Sequence, residues 1–146
     1  MLFRSDLGEL TGDASKLEEA CGKYAQATAI DPEYAVAYSN WGTALSEVGK
    51  MVDDSEQART LFLEGRDKAT RAERIAAGTG AYNLACISAL LGEPQECRRW
   101  LGVAQEHKTI PGCEHLRTDE DLDPVREEPW FQEILATVCE GEGDKA

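Results

Sequence analysis

At 146 residues and 42% hydrophobic content, the chain is long enough for one domain with a continuous core and short for two. Its 28 acidic residues against 15 Lys plus Arg leave a formal charge of −13, which repels phosphate backbones and anionic lipid and excludes nucleic acid as a ligand. The longest apolar run, Leu84 to Leu91 broken by Ser88, falls far below the roughly 18 to 20 residues of a membrane span.

The first residues, Met1 to Asp6, lack the apolar core of a secretory signal, so the expected location is the cytoplasm, without membrane insertion. Five cysteines form an odd set with no C-x-x-C pair, a pattern that suits free thiols in a reducing compartment. The charge is uneven. Residues 114–146 hold 11 acids against three bases, an acidic end read mainly as a solubility device.

In chain order, the pattern is one of helix-turn-helix units, approximately 1–34, 35–78 and 79–106. Leu7-Gly8 and Trp41-Gly42 lie 34 residues apart and Leu84-Ala85 follows 43 residues after Trp41, each a bulky residue followed by a small one that opens a first helix. The second helices carry a small, bulky, small stripe at offsets of four and seven: Ala20, Tyr24 and Ala27; Ala58, Phe62 and Gly65; Cys97, Leu101 and Ala104. Small residues let two helix backbones approach while the bulky one fills the space beside them.

Between units, Asp31 is expected to cap and Pro32 to occupy the first turn of the following helix. The second helix of unit two is expected to continue through Lys68, Ala72 and Ile75 to a stop at Gly78, protruding from the stack with its alternating charges in solvent. In unit three, Gly92 ends one helix and Pro94 starts the next. A closing amphipathic segment at 114–139 carries Leu116, Leu122, Val125, Trp130, Phe131, Ile134, Leu135 and Val138, with Pro129 at a first turn, and residues 140–146 form an acidic tail. A cap of this kind shields the apolar face that a last repeat would expose.

These stripes and Asp31-Pro32 resemble the tetratricopeptide repeat family, over roughly residues 1 to 106, and the closing segment looks like the capping helix that ends many bacterial members. The resemblance implies an all-α fold, a right-handed α-solenoid of helix-turn-helix repeats with a C-terminal capping helix. It also implies a protein–protein interaction scaffold or adaptor that binds a partner peptide in a concave groove lined by the first helix of each unit. Counted from the bulky openers, the groove residues would be Ser5, Asp6, Glu9, Ser39, Asn40, Thr43, Tyr82, Asn83 and Cys86.

Two amides at one level, Asn40 and Asn83, offer a clamp for an extended peptide backbone, and Tyr82 offers an aromatic contact. Members that grip the carboxylate tails of heat-shock chaperones use Lys and Arg in this groove. With Asn40 and no Lys or Arg among these positions, and with Asp6 and Glu9 at one end, the chain suits a neutral to basic protein or peptide partner. Two other readings are a self-assembling structural module and a regulatory domain working beside an enzyme. The oligomeric state stays open.

No catalytic chemistry is expected. The two histidines, His107 and His115, have no serine or cysteine at a catalytic spacing, and no glycine loop is built to cradle phosphate. His107, Cys113 and His115 fall within nine residues, but structural zinc sites show paired short spacings that are absent, so a connecting loop is the expected reading and neither metal nor cofactor is expected.

Overall fold

The structure, a computed structural model, describes residues 12–143. Every element among them is helical: α1 Gly12–Ile30, α2 Ala35–Met51, α3 Ser55–Ile75, α4 Ala81–Leu90, α5 Pro94–Glu106, α6 Cys113–Thr118, a 3-10 turn Glu120–Val125, and α7 Pro129–Gly143. None of these helices is long and apolar enough to cross a membrane. The expected opener Leu7-Gly8 lies outside the described residues, as does the end of the expected tail.

Successive helices pack on one another, most extensively α2 on α3 and α4 on α5. The small residues explain how closely. A Cβ added at Gly42 would sit 2.9 Å from the carbonyl oxygen of Gly65, and one at Gly65 would sit 3.0 Å from the carbonyl oxygen of Gly42. The backbones of α2 and α3 therefore touch, with room for no side chain between them. At the other end of α2, Gly49 leaves space for the Phe62 ring, which a Cβ would meet at 2.7 Å.

Of the three expected stripes only that of α5 is fully buried, at Cys97, Leu101 and Ala104; in α3 Ala58 is half-buried, and in α1 Ala20 and Ala27 are half-buried while the neighbouring Cys21 is the fully buried residue. Phe62 is buried as well, whereas Tyr24 and Trp41 are half-buried against a cluster of Cys21, Ala44, Leu45, Val48 and Leu61. The Lys68 ammonium lies 4.2 Å from the Trp41 ring centroid, which covers part of that ring.

Local signals account for most boundaries. Asp54 caps α3, its carboxylate accepting from the backbone N–H of Glu56 and Gln57 at 2.8 and 3.1 Å. Gly92 takes φ +76° after α4, a conformation that disfavours L side chains, and Pro94 begins α5. The Glu73 carboxylate accepts from the N–H of Gly78 and Gly80 at 2.7 and 2.9 Å and so fastens the α3–α4 turn.

Four expectations need correction. Pro32 is not in the first turn of a helix: it belongs to the turn before α2, where Asp31 accepts from the Glu33 N–H at 3.1 Å. A side chain that can satisfy the chain two residues on stabilises a turn instead of a helix start. The long helix α3 does not protrude, since Leu61, Phe62, Gly65, Ala69 and Ala72 are buried along nearly its whole length. The closing segment is three pieces instead of one helix, because Asp119 caps a new turn through the Asp121 N–H and Pro124 sits inside the 3-10 stretch.

The fourth concerns the cysteines. Cys113 and Cys139 form a disulfide across 26 residues of sequence, joining α6 to α7, while Cys21, Cys86 and Cys97 are free and buried. The even pair was hidden in an odd count. Burial pushes the Cys97 thiol up to about 12 and, with help from Glu18 and Glu64, the Cys21 thiol to about 11, so neither is a reactive thiolate near neutral pH.

The three closing pieces share one apolar cluster with α4 and α5. Leu116, Leu122, Val125 and Phe131 are completely or almost completely buried against Ala85, Ala89, Cys97 and Leu101. Phe131→Ala should cost about 3 to 5 kcal/mol by leaving a cavity there, measured by chemical denaturation. Opening the disulfide, by Cys139→Ser, should remove roughly 3 kcal/mol on the loop-entropy account.

The helix contact predicts a pair of opposite outcomes. Gly42→Ala should destabilise by about 1 to 3 kcal/mol because its Cβ meets fixed backbone. Gly102→Ala, on an exposed stretch of α5 with nothing within 4 Å, should stabilise by up to about 1 kcal/mol. Melting curves of the two variants that moved in the same direction would contradict the contact.

Candidate functional site

On α2, Thr43, Ser46, Glu47 and Lys50 recur at intervals of three and four and so share one face. On α4, Tyr82, Asn83, Cys86 and Ile87 do the same. The two faces enclose a cleft of about 540 Å³ whose third wall comes from the closing segment, through Pro111, His115, Thr118, Asp119, Glu120 and Asp121.

That third wall is held in place by backbone contacts. The Arg126 guanidinium donates to the carbonyl oxygens of Leu116, Arg117 and Asp119 at 3.2, 2.8 and 2.6 Å, the kind of fork that only arginine supplies. The wall then joins α4 and α2 through its acids. Asp119 Oδ2 accepts from the Tyr82 hydroxyl at 2.5 Å and faces the Cys86 sulfur at 3.8 Å and His115 Nε2 at 3.3 Å. The Tyr82 and His115 rings meet edge to face. Lys50 Nζ lies 2.8 Å from both Asp121 Oδ1 and Glu47 Oε1.

Burial sets the electrostatics. It pushes the Tyr82 phenol far up, with Cys86 and Asp119 adding to the effect, so Tyr82 stays a hydrogen-bond donor. Burial, then the charges of Asp119 and Asp121, likewise hold the Cys86 thiol well above its ordinary value. Asp121 is also raised by burial, against the opposing pull of Lys50. For Lys50 burial works downward, but the hydrogen bonds to Asp121 and Glu47 outweigh it and keep the ammonium charged. The site as it stands presents hydrogen-bond donors and carboxylates, not an activated nucleophile.

The residues singled out in the sequence divide three ways. Thr43, Tyr82, Asn83 and Cys86 line the cleft together. Ser39 and Asn40 are not part of its lining: Asn40 is exposed, and Ser39 is tied up one level away. The Asn83 amide donates to the Ser39 carbonyl and hydroxyl oxygens at 3.0 and 2.8 Å, and the Ser39 hydroxyl donates to the Thr79 carbonyl at 3.2 Å. Asn83 thus joins α2 to α4. Ser5, Asp6 and Glu9 lie outside the described residues. Of the three residues weighed as zinc ligands, Cys113 is spent in the disulfide and His107 is exposed on the α5 side.

Sequence reasoning missed Glu47, Lys50, Asp119 and Asp121. The acids at 119–123 read as solubility residues. Their one signal was Leu122 and Val125 set among them, apolar positions that bury a turn and carry the neighbouring carboxylates inward with it.

No family model, curated protein or solved structure matches this chain.

Tyr82→Phe removes the donor to a half-buried carboxylate, and should cost about 1.5 to 3 kcal/mol. Hydrogen exchange should quicken at residues 113–125 in that variant and not in α2 or α3; a uniform change along the chain would speak against the local link.

Proposed function

We propose that the chain is a protein–protein interaction scaffold or adaptor of the tetratricopeptide repeat type, its helix pairs forming a right-handed solenoid, and that the α2–α4 cleft receives an extended, neutral to basic segment of a partner. One observation carries this reading. The cleft is lined by the carboxylates of Glu47, Asp119, Glu120 and Asp121, and Lys50 is the one Lys or Arg among the described lining residues. Such an imbalance attracts Lys, Arg or a free amino terminus and repels acidic chains.

The length of open groove is limited. The closing segment occupies the far wall, so a bound peptide would run beside Thr43, Glu47 and Asn83 and meet the acids at one end. Asn83 has its amide group engaged with Ser39, which presents a rigid polar edge in place of a free clamp. Binding to such a preordered surface loses little side-chain entropy.

A cytoplasmic protein would keep Cys113 and Cys139 reduced, whereas their disulfide suits an oxidising compartment. Counting free thiols by mass spectrometry on protein taken from its native cell decides between the two locations.

Affinity capture from native extract, followed by measurement with the captured partner, tests the cleft. A Glu47→Lys, Glu120→Lys double variant should keep the parent circular-dichroism spectrum, with a small drop in melting temperature from the lost Glu47–Lys50 pair, and lose at least about tenfold in affinity, and binding by the parent should weaken with salt. A variant that captures the same partner as tightly would remove the cleft from consideration.

A further inference from the structure

The closed end of the cleft gathers donor atoms of a second kind of chemistry. The Cys86 sulfur and one carboxylate oxygen each from Asp119 and Asp121 all lie within 4.8 Å of one another. Cys86 is 7% exposed, and its thiol meets Asp119 Oδ2 at 3.8 Å, the long limit of an S–H contact. His115 Nε2 stands 3.3 Å from that same oxygen. These groups come from three separate elements, α4, α6 and the 3-10 turn with its cap.

The Cys86–Asp119 and His115–Asp119 separations, 3.8 and 3.3 Å, come close to those of a metal's coordination shell, and the 4.8 Å limit on the set requires a small inward movement of its members. With Zn–S near 2.3 Å and Zn–N or Zn–O near 2.0 Å, the edges of a tetrahedron measure about 3.5 Å between sulfur and oxygen and about 3.3 Å between nitrogen and oxygen. The charge balance points the same way. Glu47 and Asp121 share the single Lys50 ammonium, while Asp119 Oδ2 beside them meets the Tyr82 hydroxyl, the Cys86 thiol and His115.

We propose that Cys86, Asp119 and Asp121 form a binding site for a divalent metal ion of the zinc class, with His115 completing the shell by a side-chain rotation. The Cys86 S–H proton leaves to solvent as the sulfur takes the metal, Lys50 withdraws from Asp121 to Glu47, and the Tyr82 hydroxyl continues to orient Asp119 from behind. A thiolate in the set selects zinc or cobalt over magnesium and calcium, which take oxygen ligands alone. This site does not depend on the peptide reading.

Titration of the full chain with Co²⁺, the disulfide intact and no reductant present, tests it. The expected result is a thiolate-to-cobalt charge-transfer band that saturates at one equivalent, is abolished by one equivalent of Zn²⁺ and persists in excess Ca²⁺ or Mg²⁺. Cys86→Ser should lose the band, and Asp119→Asn should weaken binding by about tenfold or more. Lys50→Met, which removes the competing ammonium, should tighten it, and Cys97→Ser should leave it unchanged. No band in the parent, or a band that survives in Cys86→Ser, overturns the proposal. Where Cys86→Ser fails to fold by circular dichroism, Asp121→Asn decides, and unchanged cobalt affinity in that variant also overturns it.

Discussion

The contact between the Gly42 and Gly65 backbones is the constraint on which the rest of the structure depends. Two helices can approach until their peptide groups touch only where neither carries a Cβ at the crossing, and this pair meets that condition on both sides. The contact fixes the distance between α2 and α3 and therefore the depth at which Ser46, Gly49 and Phe62 sit. The α3–α4 turn repeats the arrangement, for a Cβ at Gly80 would lie 2.2 Å from the Ala69 carbonyl oxygen. With α2 and α4 both held against α3, their polar faces stand at a set spacing, and Asn83 bridges them through Ser39.

The closing segment answers two demands at once. Its apolar residues cover the exposed side of α4 and α5, a burial that accounts for Leu116, Leu122, Val125 and Phe131. Covering that side draws Asp119 and Asp121 into the cleft, because they immediately precede the buried Leu122 and Val125 in one tight turn. Half-buried carboxylates need partners, and each finds them: the Asp121 N–H, Tyr82 and His115 for Asp119, and Lys50 for Asp121. The Cys113–Cys139 disulfide ties the two ends of the same segment, so the acids are presented from a closed loop instead of a free strand.

Much of the fold was legible in the residues. The small, bulky, small stripe, Gly92 with Pro94, and the length of each apolar period follow from spacing, because helix geometry turns an interval of three or four residues into a shared face without reference to anything else in the chain. The all-helical architecture rests on that local rule. The cleft residues Thr43, Tyr82, Asn83 and Cys86 are singled out through the resemblance to the repeat family, whose groove lies on the first helix of each unit.

Other features had no local signature. Whether Cys113 meets Cys139 depends on the angle between α6 and α7, which the turn at Pro124 and the seating of Phe131 determine. Asp119 and Asp121 are ordinary surface acids by composition, and only the docking of their turn on α4 makes them neighbours of Tyr82, Cys86 and Lys50. Sequence by itself determined the helices and the faces they bury, because hydrogen bonding and apolar period act over a few residues. The tertiary structure alone decided which polar groups meet, because residues such as Lys50 and Asp121, 71 apart in the chain, come together through the packing of everything between them.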